Sequence, residues 1–307
     1  MNNVVVVGSI NMDLTSYLDR WPQVGETVTA QNTIISLGGK GANQAVAASC
    51  LGATVTMIGA VGTDSFGHDV EARLSDADIT LHLHRPAAVS TGMAFIDVGP
   101  DGDNLIRLSA GANATLQATT ISDLWSAIAD CKVLLLQNEV PIEASLEAAR
   151  FARAAGAIVV MDPAPAPVPF WSHEQLTAFD ILTPNALEVK SITGHEPRTL
   201  EEALKAAQHL KSFGARGSIV TMGPTGVAWS IADNEGRMDA PDVNAIDTVG
   251  AGDCFNGAFA CAIAADASID KAVEMAVNAA ALATTRNGAS DSVPTKAELE
   301  HRFSPAE

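Results

Sequence analysis

The run Asp247-Thr248-Val249-Gly250-Ala251-Gly252-Asp253 sets an acid and a Thr ahead of a Gly-Ala-Gly turn, with a second acid directly after it. Behind the turn lies a small-residue apolar run, Cys254 to Ala265, in which Phe255 and Phe259 fall on one helical face. A Gly-rich entry into a helix leaves backbone N–H groups without intrahelical acceptors, and the helix dipole adds positive potential where they point. An anion suits that point. With Asp253 beside it as a candidate general base, the stretch has the parts for phosphoryl transfer to a hydroxyl, where positioning and charge stabilisation carry most of the catalysis. The same heptapeptide also fits a plain helix start, because Asp is a common cap and Gly a common turn. A helix dipole moreover weakens a carboxylate as a base. Other segments must decide.

A second Gly-rich turn, Gly38-Gly39-Lys40-Gly41-Ala42-Asn43, leads into the Ala-rich helical run Gln44 to Leu51. It is not a Walker A loop: Gly41 follows the Lys, and Ile34 or Ile35 stands where the first Gly belongs. Its glycines permit close approach of a ligand to backbone, Lys40 supplies a point charge, and Asn43 can donate and accept. Asn11 and Asp13 share a face if extended. Asn185-x-x-Glu188 places an amide and a carboxylate on one face if a helix starts at Pro184, and the pair suits a hydrated Mg²⁺ or a phosphate as well as a plain dipole partner. Thr221-Met222-Gly223-Pro224-Thr225-Gly226 is a loop of little bulk that lets a purine or phosphate lie against backbone, or is simply a turn. Arg286-Asn287-Gly288-Ala289 and Ser292 offer carbonyls that, with Asp247, can hold a weakly hydrated monovalent cation.

These residues need a scaffold that brings them to one edge. Val4–Val7, Val55–Gly59, Val133–Leu136, Ile158–Met161, Ile181–Thr183 and Ile219–Thr221 read as short buried strands, alternating with helices over 68–76, 119–130, 142–155 and 200–213. Polar or Gly clusters follow the strands, Gln137-Asn138-Glu139 and Asp162-Pro163 among them. That rhythm predicts a doubly wound, mostly parallel α/β sheet flanked by helices, with its site along the carboxyl edge. The expected organisation is one domain over residues 1–307. Two β-rich insertions, at about 14–37 and 91–109, break the rhythm, with short strands at Thr27–Thr29 and Thr33–Ile35 and a hairpin turning at Pro100-Asp101-Gly102. They predict a small β-sheet that closes over the site as a lid and pairs with a second subunit to make a homodimer.

Composition narrows the function classes. Lys and Arg number 18 against 36 Asp and Glu, a net charge of −18, which disfavours nucleic acid or an anionic membrane as partner. It does not disfavour ATP, since N–H cradles bind phosphate inside acidic proteins. Cys50, Cys131, Cys254 and Cys261 show no C-x-x-C spacing and read as buried thiols in a reducing cytoplasm. No apolar run reaches membrane length, and no leader pattern precedes Val4. His82 and His84 lack acidic or Cys partners at ligand spacing and read as solvent-facing.

Taken in order, Gly38-Gly39-Lys40-Gly41-Ala42-Asn43-Gln44-Ala45, Thr183-Pro184-Asn185-x-x-Glu188 and Asp247 to Asp253 resemble the PfkB carbohydrate-kinase family, as do Ser109-Ala110-Gly111-Ala112-Asn113 and Thr285 to Ala289. The resemblance covers nearly the whole chain. It implies ATP-dependent phosphorylation of a sugar, D-ribose at its 5-hydroxyl, with Asp253 as base and Gly250, Ala251 and Gly252 as anion hole. It puts the sugar on Asn11, Asp13, Gly39, Lys40, Gly41, Ala42, Asn43 and Glu139. ATP falls on Asn185, Thr221 to Gly226, Gly252, Asp253 and Asn278, the last one place after the family's position, which falls on Val277. The resemblance also implies Mg²⁺ held through water by Glu188, and K⁺ by Asp247, Val249, Ala283, Arg286, Gly288 and Ser292. Met12, between the two sugar positions, leaves the sugar open: 2-deoxyribose, fructose or a nucleoside such as adenosine are alternatives. A non-catalytic sugar sensor is a rival of another class. An NAD-dependent dehydrogenase is disfavoured, because after Gly250-x-Gly252 the next Gly is at 257.

Overall fold

The N-terminal β-branched run becomes β1 (Asn3–Val7), an interior strand of a nine-stranded sheet. A computed structural model describes residues 2–303. Within them β1 is followed by β2 (Asn11–Tyr17), β3 (Asn32–Gly38), α1 (Lys40–Cys50), β4 (Thr54–Ala60), α2 (Ser65–Asp76), β5 (Ile79–His84), β6 (Gly92–Val98) and β7 (Asn104–Ser109). Next come α3 (Ala118–Trp125), β8 (Val133–Gln137), α4 (Ile142–Ala154), β9 (Ile158–Asp162), α5 (His173–Leu176), β10 (Ile181–Leu182), α6 (Ala186–Thr193) and α7 (Leu200–Ser212). The chain ends with β11 (Gly217–Thr221), β12 (Val227–Ile231), β13 (Asn234–Met238), α8 (Ala251–Ala264), α9 (Ile269–Ala283) and α10 (Lys296–Phe303).

The large sheet runs β13-β12-β11-β10-β9-β8-β1-β4-β5. All pairs from β11 to β5 are parallel, so their carboxyl ends share one edge. β12 and β13 extend it antiparallel as a hairpin that the sequence reading did not anticipate. Alternate residues of β1 serve two cores: Val4 and Val6 pack with α1, α8 and α9, while Val5 and Val7 pack with α3 and α4. On α8, Phe255 and Phe259 stack with centroids 6.4 Å apart, as their spacing requires.

A separate four-stranded sheet has the order β3-β2-β6-β7. It draws on both expected insertions but begins earlier, at Asn11, which pairs with Gly38 on one side and Gly92 on the other. Thr27–Thr29 is not a strand; the first insertion forms its second strand only from Asn32. Tyr17, Ile34, Ile35, Leu105, Ile106 and Leu108 are exposed on this sheet. His82 and His84 are half-buried on β5 rather than open to solvent. Among the described residues no helix is long and apolar enough to cross a membrane.

Candidate active site

Two chain crossings bring the expected residues together. The first is where β1 leaves the large sheet and β2 enters the small one, against the start of α1. Gly41 lies so close to Gly8 that a Cβ there would come within 2.7 Å of backbone, so the glycine serves chain-to-chain approach. The Ala42 N–H then donates to the Ser9 carbonyl at 3.0 Å. The Glu139 carboxylate accepts from the Ser9 hydroxyl at 2.6 Å and from the Lys40 backbone N–H at 3.1 Å, tying the end of β8 to the same point. Asn113 Nδ2 donates to Asn11 Oδ1 at 2.8 Å, and the Asn113 amide also closes a pair with the backbone of Ile10. A cavity of about 310 Å³ opens here, lined by Ser9, Asn11, Asn113 and Glu139 and by Leu108 and Ser109 of the small sheet.

The second crossing is the start of α8. Gly250 takes φ 75°, and a Cβ on it would fall 2.7 Å from the Ala289 backbone; turn and C-terminal loop are packed together there. Asp247 ties the same two segments: its carboxylate accepts from Val249 N–H at 3.0 Å and Gly288 N–H at 2.9 Å. Ser292 is buried, with its hydroxyl on the Ala289 carbonyl, and Arg286 is turned outward to Glu298. Helix α8 has no side-chain cap. The Ala251 N–H leans back to the Thr248 carbonyl at 3.3 Å, whereas those of Gly252 and Asp253 bond to none of the described residues. A Cβ at Gly252 would meet nothing within 4 Å, so space lies open beside the turn that carries the free amides.

Asp253 joins the two crossings. It is buried, and its carboxylate accepts from Asn43 Nδ2 at 3.0 Å and Gln44 Nε2 at 3.2 Å. Burial, then the charges of Glu139 and Asp253, push the Asp13 carboxyl up to about 7. Lys40 stands among four carboxylates, Asp253 foremost, and their field holds its ammonium well above the ordinary lysine range despite burial. Asp13 Oδ1 and Asn43 Oδ1 are buried without a hydrogen-bond partner, two orphan acceptors at the expected sugar side. Met12 is fully buried in the core, on the face of β2 opposite Asn11 and Asp13.

The residues expected on the nucleotide side lie further along the edge. Helix α6 begins at Ala186, not Pro184. Asn185 is its cap: its side-chain oxygen accepts from the N–H groups of Leu187 and Glu188, each at 2.9 Å, and Glu188 accepts from the Asn185 N–H at 2.8 Å. The expected common face therefore becomes a reciprocal box, because Asn185 has left the helix. Burial is the main cause that raises the Glu188 carboxyl above its ordinary range. Thr221 donates its N–H to the Pro184 carbonyl, which sets the Thr221–Gly226 loop beside Asn185, with Gly223, Pro224 and Thr225 exposed. On α9, Val277 is core and Asn278 half-exposed, so the polar side chain is the accessible one of the two. No cluster of three or more His, Cys, Asp or Glu among the described residues could hold a metal ion.

A family model described as pfkB family carbohydrate kinase matches residues 1–296. The chain belongs to the pfkB family. Among relatives in this family, a ribokinase of Haemophilus influenzae is 39% identical over 97% of this chain and 98% of its own. A deoxyribokinase of Salmonella typhi is 35% identical over 95% and 96%. A solved Arabidopsis thaliana ribokinase, complexed with ribose and ATP, is 28% identical and superposes with a TM-score of 0.87, covering 99% of each chain. This similarity extends over the large and small sheets alike, so the fold is that of the family's kinases. The sequence assigns no site role to Ser9, Gln44, Asn113, Gln137 or Asp162, although each sits at a strand end or beside a glycine turn noted for polar residues.

Proposed function

We propose that the chain transfers the γ-phosphoryl group of ATP to the 5-hydroxyl of D-ribose, giving ribose 5-phosphate and ADP. The observation that carries this is Asp253, a buried carboxylate bonded to Asn43 of the sugar-side loop and sitting at the uncapped N-terminus of α8. Asp253 takes the hydroxyl proton as the new P–O bond forms and the bond to the ADP oxygen breaks. The open N–H groups at Gly252 and Asp253, in the turn begun by Gly250 and Ala251, receive the charge on the migrating group. Asn11, Asp13, Lys40, Asn43 and Glu139 hold the sugar, and their buried polar atoms penalise one that leaves them unpaired.

Asn185, Asn278 and Thr221–Gly226 hold ATP. The fit for Mg²⁺ is Glu188, which keeps one carboxylate oxygen beyond its capping bond for a metal-bound water. The fit for K⁺ is the loop pair around Asp247, Val249, Ala283, Arg286, Gly288 and Ser292, rich in backbone oxygen behind the α8 turn. When bound, these ions supply neutralising charge at the phosphates and behind the anion hole. The small sheet is the lid, and its exposed Tyr17, Ile34, Ile35, Leu105, Ile106 and Leu108 meet a second copy in a homodimer. Four unpaired cysteines suit a cytoplasmic setting.

The test is ATP consumption across ribose, 2-deoxyribose, fructose and adenosine, in K⁺ and in Na⁺. Ribose with K⁺ is expected to be fastest; equal rates in the two salts remove the cation assignment. A deoxyribokinase reading is favoured by a relative nearly as similar as several ribokinases, and a preference for 2-deoxyribose would establish it. No turnover with any sugar would leave a binding protein.

A further inference from the structure

Behind Asp253 lies a group of buried side chains to which the reading above gives no part. Gln44 is fully buried, and its side-chain NH₂ serves two acids: Asp253 Oδ1 at 3.2 Å and Asp162 Oδ2 at 3.0 Å. Its oxygen accepts from Gln137 Nε2 at 2.7 Å. Turning the Gln44 amide over would set oxygen against two carboxyl groups and nitrogen against nitrogen, so the network admits one orientation. Three rigid elements hold it. Gln137 ends β8 and Asp162 ends β9, where the two are register partners, and Gln44 lies near the start of α1. Asp253 is thus gripped at both oxygens, by Asn43 from the sugar side and by Gln44 from behind.

We propose that Gln44 is a positioning residue for phosphoryl transfer, fixing the orientation of the Asp253 carboxylate, with Gln137 and Asp162 fixing the Gln44 amide in turn. The inference rests on the reading of Asp253 as the base. A reacting group displaced by about 1 Å loses on the order of 100-fold in rate, so a second grip on the carboxylate is worth having. Burial also pushes the Asp162 carboxyl well above its ordinary range, against the field of Lys40 and together with the charges of Glu188, Asp253 and Glu139.

The test is steady-state kinetics of Gln44→Met, which keeps the bulk and removes both hydrogen-bonding functions. The expected result is a kcat lower by about 10- to 100-fold. The sugar KM should stay within about threefold of the parent, as for loss of an interaction that matters only at the transition state. A Gln44→Met kcat equal to the parent, or a KM that rises as much as kcat falls, overturns the proposal. Should Gln44→Met fail to fold, Gln137→Met removes the same anchor one residue further back; a soluble Gln137→Met with parental kcat overturns it equally. A parent protein inactive on every sugar would instead sink the kinase reading, a different failure from an active parent matched by its variants.

Discussion

Asn185 and Asp253 both stand at the N-terminal end of a helix, and the structure uses them in opposite ways. Asn185 turns its side chain onto α6 and satisfies two of its orphan N–H groups, while Glu188 closes the box from inside. Asp253 turns away from α8 into the buried amides of Asn43 and Gln44, and Gly250 brings no side chain to cap the helix. One helix end is sealed by its own residues; the other keeps donors open before empty space at Gly252. An anion binds where helix N–H groups lack partners, and this difference is the ground for proposing the transferring phosphoryl group at α8 and a supporting part for α6.

Removing the carboxylate that turns away should have the largest effect. Asp253→Asn keeps the shape and one acceptor for the buried amides but cannot take a proton. Phosphoryl transfer should fall at least ~100-fold, the low end for a general base, with ribose binding retained. Single-turnover transfer measured beside sugar binding by calorimetry checks both, and parental turnover would refute the assignment. Next comes the open space. Gly252→Ala meets no protein atom, and Ala suits a helix better than Gly by roughly 0.5–1 kcal/mol, so the variant should melt higher. The same methyl group stands where the phosphate approaches, and kcat with ATP should fall by about tenfold, close to 1.4 kcal/mol of barrier. A variant both more stable and fully active would show that nothing binds in front of that turn.

How much of this was legible beforehand follows from the range of each interaction. Helix entry at Gly250, the parallel strands and the polar strand ends are local patterns of period and turn chemistry, and all were readable. The Asn185 cap was misplaced by two residues at the helix start because Pro184 suits a first helical turn; only the return bonds of the box show that the chain is still extended at Asn185. The role of Gln44 was out of reach for another reason. Its partners Gln137, Asp162 and Asp253 lie 93, 118 and 209 residues away, and no periodicity in one segment encodes such a meeting. Met12 shows the same limit: alternation along β2 is visible in the sequence, but not that its face of the strand is core.

The buried side of the α8 start also predicts a pH effect in the sugar-free protein. Asp13 is raised to about 7 by burial first and by Glu139 and Asp253 next, while in the unfolded chain it titrates near its ordinary 3.8. Between those values the folded protein binds the proton that the unfolded chain has released. Stability therefore falls as pH rises across that window, by roughly 1.4 kcal/mol per pH unit for this one group. Other groups titrate as well, so the measurement is the melting temperature of the parent minus that of Asp13→Asn at each pH. The difference should turn against the parent as pH rises toward 7 and level off above it. A flat difference would mean that Asp13 is solvated and not held in a closed pocket.

The smallest effect is expected at the sealed helix. Asn185→Ala removes the two side-chain bonds to Leu187 and Glu188, which costs about 1 kcal/mol of stability for a typical cap. Its effect on catalysis separates two uses of the same helix end. If α6 only supports the nucleotide loop through Pro184 and Thr221, and lends the free Asn185 NH₂ to ATP, the ATP KM rises by about fivefold and kcat holds, the signature of uniform binding. If α6 were the true anion site, uncapping it would free two N–H donors and strengthen phosphate binding. A variant that binds ATP more tightly than the parent would therefore reverse the roles of the two helices.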